Sequence, residues 1–189
     1  MKFLNGFHAV LFGLVLTLCA CAPATVIPTP TAPSATATSS VPAWFNTKMT
    51  DVRTGKTFAI NDFAGKVILI ETMAQWCPTC REQQNEIKKI PGLLGNQSSQ
   101  LVYVSIDVDV NEDDASLKEY TAKLGYEWYF VVAPHDVAHA LGNLYGAEYL
   151  NPPLAPMLII DSQRSVYGLP YGLKSALSLK NTLQQYLTP

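Results

Sequence analysis

The chain has 189 residues, 48% of them hydrophobic and 15% charged, and a formal net charge of −2. Without a basic run, that balance excludes an electrostatic nucleic-acid binder. The stretch from residue 43 onward amounts to one domain, long enough to bury a core without disulfide staples.

The N-terminal stretch differs from the rest. Lys2 precedes a mostly apolar segment, residues 3–18 (FLNGFHAVLFGLVLTL), which meets Cys19-Ala20-Cys21. A charged start, an apolar middle and small residues at the end describe a secretory signal peptide. The segment is short for a membrane span, and Asn5 and His8 interrupt it. Leu18-Cys19-Ala20-Cys21 resembles a bacterial lipoprotein box, which implies that residues 1–20 are removed and that Cys21 becomes the lipidated first residue. An uncleaved anchor helix is the alternative. Either reading predicts an extracytoplasmic domain held at the cell membrane. Residues 21–42 form a charge-free Pro/Thr/Ser/Ala-rich tether that cannot bury enough surface to fold.

The domain, residues 43–189, then alternates strand and helix signals. Residues 58–60 offer a short strand and residues 61–66 a turn. Residues 67–73 (VILIETM) form an apolar run broken by one carboxylate, as expected of a buried central strand. Residues 81–90 are rich in helix formers and are expected to stop at Pro91-Gly92. Residues 101–107 (LVYVSID) read as a second buried strand, 115–124 as a helix ended by Gly125, 127–132 as a strand, and 136–145 as a helix closed by Gly146. Residues 157–161 and 165–168 predict a hairpin. Residues 173–187 predict an amphipathic helix with Leu173, Leu177, Leu179, Leu183 and Leu187 on its apolar face. Strands alternating with helices, then a late hairpin and helix, predict a three-layer α/β domain with a central mixed sheet.

Chemistry concentrates at Trp76-Cys77-Pro78-Thr79-Cys80, between the buried strand and the first helix. Of four cysteines, one is expected to leave with the signal and one to be acylated, so Cys77 and Cys80 stand alone in the domain. A bridge over so short a loop constrains little chain, which points to a chemical purpose. Free N–H groups and the helix dipole at a helix start favour a thiolate on Cys77, with a pKa of roughly 7. Cys80, one turn on, can resolve a mixed disulfide. Cys77 is therefore expected to be the exposed attacking residue and Cys80 the more covered one. Half a zinc site and an inert bridge are the alternatives, and no second cysteine pair supports zinc.

These features together resemble the thioredoxin superfamily, most closely its membrane-tethered TlpA/ResA-like branch, over residues 43–187. The resemblance rests on the strand–Trp-Cys-x-x-Cys–helix unit, Gly65-Lys66-Val67, Val104-Ser105-Ile106-Asp107 with its acidic loop, and Pro156-Met157-Leu158-Ile159-Ile160-Asp161. It implies a cis bond between Ala155 and Pro156, with Trp76, Ala155 and Pro156 contacting substrate. Pro152 and Pro153 compete for the proline's place, and Met157 departs from the Thr usual after it. The resemblance also implies that Glu71, on the buried strand, exchanges a proton with Cys80. A buried carboxyl would have a raised pKa, whereas a strand-end Glu turned to solvent would have no such role.

Two weaker patterns carry less. His135 and His139 share helical spacing without a third ligand, so no metal is expected. Residues 107–114 (DVDVNEDD) begin like a calcium loop, but Glu112 stands where Gly is needed and Lys118 where a bidentate Glu is needed; a solvated loop is expected. The expected activity is thiol–disulfide exchange with exported proteins, with a reductase direction favoured. No cofactor is expected beyond the dithiol, and the chain should be a monomer recharged by a membrane redox donor. A thiol peroxidase is one rival, disfavoured because Ala74 stands where such enzymes carry Thr; a non-catalytic tethered module is another.

Overall fold

The computed structural model describes residues 41–188; the expected signal peptide, Cys21 and all but the end of the tether lie outside the described residues. Among the described residues, no helix is long and apolar enough to cross a membrane.

The central strand β3, Val67–Met73, is buried at every position. It can be mostly apolar, broken only at Glu71 and Thr72, because both its edges are paired and both its faces covered. β4 (Leu101–Asp107) runs parallel to it and β6 (Met157–Ile160) antiparallel. β5 (Tyr129–Val132) and β7 (Val166–Gly168) complete a mixed sheet in the order β5-β4-β3-β6-β7. The parallel partners are reached through helices, as parallel pairing requires; the chain enters β6 from β5 through the helix His135–Tyr145, and a short turn joins β6 to β7.

Side chains alternate across β3 and so divide the core. Val67, Leu69 and Met73 meet Ile87, Leu117, Leu179 and Leu183, from helices α1 (Pro78–Ile87), α3 (Asp114–Leu124) and α5 (Ala176–Leu183). Ile68 and Ile70 meet Val137 and Leu141 of α4 (His135–Tyr145), together with Trp44, Phe45 and Met49. Helices thus lie on both sides of the sheet, giving the expected three layers. Glu71 sits in phase with Leu69 and Met73, so it faces the α1 side.

Several element boundaries differ from expectation. The strand at 58–60 is β2 (Thr57–Phe58), paired with an unforeseen β1 (Met49–Thr50), and Ile60 opens a 3₁₀ turn. The first helix starts three residues early, at Pro78, because Pro is suited to a first turn. It ends at Ile87, and a second helix, α2 (Ile90–Leu94), takes Pro91 into its own first turn, where a missing N–H breaks no hydrogen bond. The last helix spans only Ala176–Leu183, capped by Ser175 accepting from Ser178 N. Leu173 and Leu177 are exposed, and the buried stripe runs through Ala176, Leu179 and Leu183.

Candidate active site

The β3–α1 connection delivers the dithiol. Cys77 and Cys80 are bridged, with Cα atoms 5.3 Å apart. Cys77 is the N-cap of α1, and its Sγ accepts from Cys80 N at 3.1 Å. A sulfur thus takes the place usually held by a Ser or Asp oxygen, and an anionic sulfur there would be favoured by the helix dipole as well.

Both cysteines are fully buried, which corrects the expectation of an exposed Cys77. They pack with Met73, Ala74 and Met157, and the 3₁₀ turn Pro152–Leu154 lies against α1 with its Pro152 carbonyl 3.4 Å from Cys80 Sγ. In this disulfide form the turn covers the resolving sulfur. Trp76, next to Cys77, is 55% exposed and is the most open aromatic ring at the site.

The expected cis bond at Pro156 is not found: the described residues contain no cis peptide. Ala155 instead adopts a left-handed conformation (φ 46°, ψ 55°), which turns the chain into β6 without isomerisation. The backbone groups there are engaged: Ala155 N donates to Pro152 O, Pro156 O accepts from Thr72 N, and Ala155 O accepts from Lys174 Nζ. Ala155 and Pro156 are both buried.

Glu71 is buried, which rules out the solvent-facing alternative. Its β4 register partner is Ser105, whose hydroxyl donates to Glu71 Oε2 at 2.9 Å while accepting from Trp128 Nε1 at 2.9 Å. Among the described residues, Glu71 Oε1 and Gln84 Nε2 are buried without a hydrogen-bond partner. Burial outweighs the Ser105 hydroxyl and the charge of Lys174, both of which favour the anion, and pushes Glu71 up to about 8. At neutral pH it mostly holds its proton.

Sequence reasoning missed the residues around this carboxyl. Lys174, before α5, donates to Ala155 O (2.8 Å) and Gly172 O (2.6 Å), and burial lowers it to about 8 despite the attraction of Glu71. Gln83 of α1 clamps the Lys174 backbone, donating to its carbonyl (3.0 Å) and accepting from its N–H (2.8 Å). Ser105 could have been found as the register partner of Glu71; no local signal marked Lys174 or Gln83.

The acidic stretch is not simply solvated. Asp107, the last residue of β4, is fully buried, and Glu112 accepts the Gln75 N–H through both carboxylate oxygens (2.8 and 3.1 Å). Asp109 accepts from the Trp76 indole at 2.6 Å. Burial, then the hydrogen bond and charge of Glu112, raise Asp107 far above the ordinary carboxylate range. The loop is anchored to the two residues that precede Cys77. His135 and His139 lie on one face of α4, their rings 6.1 Å apart, and His139 meets Asn143. Among the described residues, no three His, Cys, Asp or Glu side chains converge on a metal-sized site.

Comparison with known proteins agrees with this arrangement. The redoxin family model matches residues 31–169. A thiol:disulfide interchange protein of the thioredoxin family from Chlorobium tepidum superimposes with a TM-score of 0.62 at 20% identity, covering 74% of this chain and 92% of that one. A secreted Mycobacterium tuberculosis disulfide oxidoreductase homologous to E. coli DsbE gives 0.57 at 15% identity, covering 75% and 96%. A SCO1/SenC family lipoprotein from Bacillus anthracis gives 0.58 at 16% identity, covering 74% and 92%. These likenesses establish the thioredoxin-like fold. With the family match spanning most of the domain and a Cys-x-x-Cys bridge at the helix start, the chain belongs to the redoxin family of thioredoxin-fold thiol oxidoreductases.

Proposed function

We propose that this chain is an extracytoplasmic thiol–disulfide oxidoreductase that reduces disulfides of exported proteins. The observation that carries the reading is the Cys77–Cys80 bridge at the N-cap of α1, with a buried, proton-holding carboxyl on the adjoining strand. The Cys77 thiolate attacks a substrate disulfide, forming a mixed disulfide and expelling one substrate thiolate. In molecules whose Glu71 is ionised, Cys80 gives its proton to that carboxylate, and the resulting thiolate attacks Cys77 Sγ. The second substrate thiolate leaves, and the observed bridge forms. Two electrons have passed from the dithiol to the substrate.

A dithiol donor recharges the site by the reverse path, in which protonated Glu71 returns its proton to Cys80 as that sulfur leaves. Trp76 is the first substrate contact, and the Ala155–Pro156 segment becomes available when the Pro152–Leu154 cover yields. The apolar leader and the Cys21 box support export and lipid anchoring, and two similar structures are described as secreted or as a lipoprotein.

The test is trapping with the full chain. Cys80→Ser leaves nothing to resolve the intermediate, so it should accumulate mixed disulfides with exported proteins in the membrane fraction, released by reductant. Cys77→Ser should trap none. The opposite pattern would reverse the two roles, and full activity in both variants would end the reading.

A further inference from the structure

The dithiol's N-terminal approach, Gln75-Trp76, is held from outside the β3–α1 unit by the arm that follows β4. Gln75 N donates to both oxygens of Glu112, Gln75 Nε2 donates to Ser116 Oγ (3.0 Å) and reaches Asp107 Oδ2 (3.5 Å), and Trp76 Nε1 donates to Asp109. The arm is fixed in turn: Asp107 Oδ1 accepts from Asp109 N, and Asp113 caps α3 by accepting from Ser116 N at 2.8 Å. Val108 N donates to Met73 O, and Ala133 N to Asp107 O. Of the three polar donors that the Gln75-Trp76 pair turns to this arm, Gln75 N and Trp76 Nε1 end on carboxylates and Gln75 Nε2 ends on the Ser116 hydroxyl, with Asp107 Oδ2 at the limit of its reach.

We propose that Asp107, Asp109 and Glu112 are positioning residues for the dithiol, and that the Asp107–Glu112 pair makes this brace release as pH rises into the alkaline range. This deepens the oxidoreductase reading and rests on it for its effect on exchange.

The brace turns on one proton. Asp107 is sealed from solvent, and the titratable groups facing it are Glu112 and, across its own turn, Asp109. The neighbouring elements offer it no cation. Gln75 on the β3–α1 connection and Ser116 on α3 are neutral, and β5 presents Val132 as its register partner, followed by Ala133. While Asp107 keeps its proton it can share it with Glu112, and Glu112 stays seated on Gln75 N. Once that proton is lost, two like charges sit together in a poorly solvated place, and such pairs separate. Glu112 is the member with room to leave, being half-buried on the loop. Its departure frees the Gln75 N–H, loosens the backbone that leads into Trp76 and Cys77, and leaves Asp109 alone to hold the Trp76 indole. The shift of Asp107 to about 8 agrees with this order of events.

The test reads the brace with and without exchange. In full-length protein labelled with 15N at tryptophan, the Trp76 indole resonance, assigned by its absence in Trp76→Phe, should move between pH 7 and 9. It should stay fixed in Asp107→Asn, which has nothing to titrate, and should still move in Glu71→Gln. A resonance that does not move in the wild type, or that titrates equally in Asp107→Asn, overturns the proposal. The second readout is kcat/KM for a disulfide substrate. The ratio of Asp107→Asn to wild type should rise several-fold across the same interval, and a flat ratio also overturns the brace's role. Glu112→Ala should lower exchange several-fold at neutral pH, with Glu112→Gln, which can still accept one hydrogen bond, recovering part of it; equal loss in both counts against positioning by this acceptor. Because the resonance needs no substrate, absence of exchange activity would defeat the oxidoreductase reading while leaving the brace measurable.

Discussion

At the scale of single residues, the site is organised by where one proton can rest. Glu71 is placed by strand alternation on the α1 face of β3, and burial holds it protonated to about pH 8. Glu71→Gln keeps a hydrogen-bond acceptor for the Ser105 hydroxyl but cannot take or give the proton. Turnover should fall by about 10²-fold, in the range usual for loss of a general acid–base group, and the limb of the pH–rate profile near 8 should vanish. An unchanged profile would remove Glu71 from the mechanism. Trp128→Phe should act more mildly, because it only removes the donor behind Ser105. It leaves the Ser105 hydroxyl free to rotate, so a modest shift of the same limb is expected.

At the scale of elements, α1 does two jobs: its N-terminus presents Cys77, and its second turn clamps the chain before α5 through Gln83. Gln83→Ala removes both hydrogen bonds to the Lys174 backbone and should cost about 2 kcal/mol, read as a lower urea midpoint. It should also loosen Lys174 from Ala155 O, so the disulfide should be reduced faster by a small thiol. A midpoint equal to that of wild type would show the clamp to be dispensable.

Element by element, the sequence was most readable where burial was symmetric. VILIETM and LVYVSID are short, mostly apolar runs rich in β-branched residues, and both strands fall on the expected residues. Gly125 and Gly146 end their helices with positive φ, as their positions suggested. Legibility failed where a local rule met a tertiary partner. The Pro156 expectation came from resemblance, and the left-handed turn at Ala155 is held by Lys174 Nζ on Ala155 O and by Gly172 N on Leu154 O, partners that lie outside any local window. The acidic arm looked like a solvated loop because carboxylates are usually exposed; its partners, the Gln75 N–H and the Trp76 indole, lie more than thirty residues earlier. Cys77 looked accessible because helix starts usually are, but it joins the core cluster with Met73, Ala74 and Met157.

At the scale of the whole molecule, the buried titrating groups set a pH profile of stability. Glu71 is raised from 4.5 to about 8, so between those values the unfolded chain has lost a proton that the folded chain retains. Stability should therefore be greatest, from this group, below about pH 4.5 and should fall as pH rises to about 8. Asp107 acts in the same sense. Lys174 is lowered from 10.5 to about 8, so over that interval the unfolded chain binds the extra proton and stability recovers in part. Urea midpoints at pH 5, 8 and 10 should show a minimum near 8, and Glu71→Gln and Asp107→Asn should each make the fall from pH 5 to 8 shallower. Midpoints in the two variants that track wild type across all three values would contradict this assignment.

The central claim is that Cys77–Cys80 is a working redox couple, and its reduction potential tests that most directly. The full chain is equilibrated with thiol buffers of graded potential, and the alkylation state of residues 77–80 is read by mass spectrometry, which keeps Cys19 and Cys21 out of the measurement. The account predicts a single two-electron transition between about −120 and −270 mV, where exchange-active pairs lie. A bridge that stays oxidised below about −300 mV, as structural disulfides do, would contradict it.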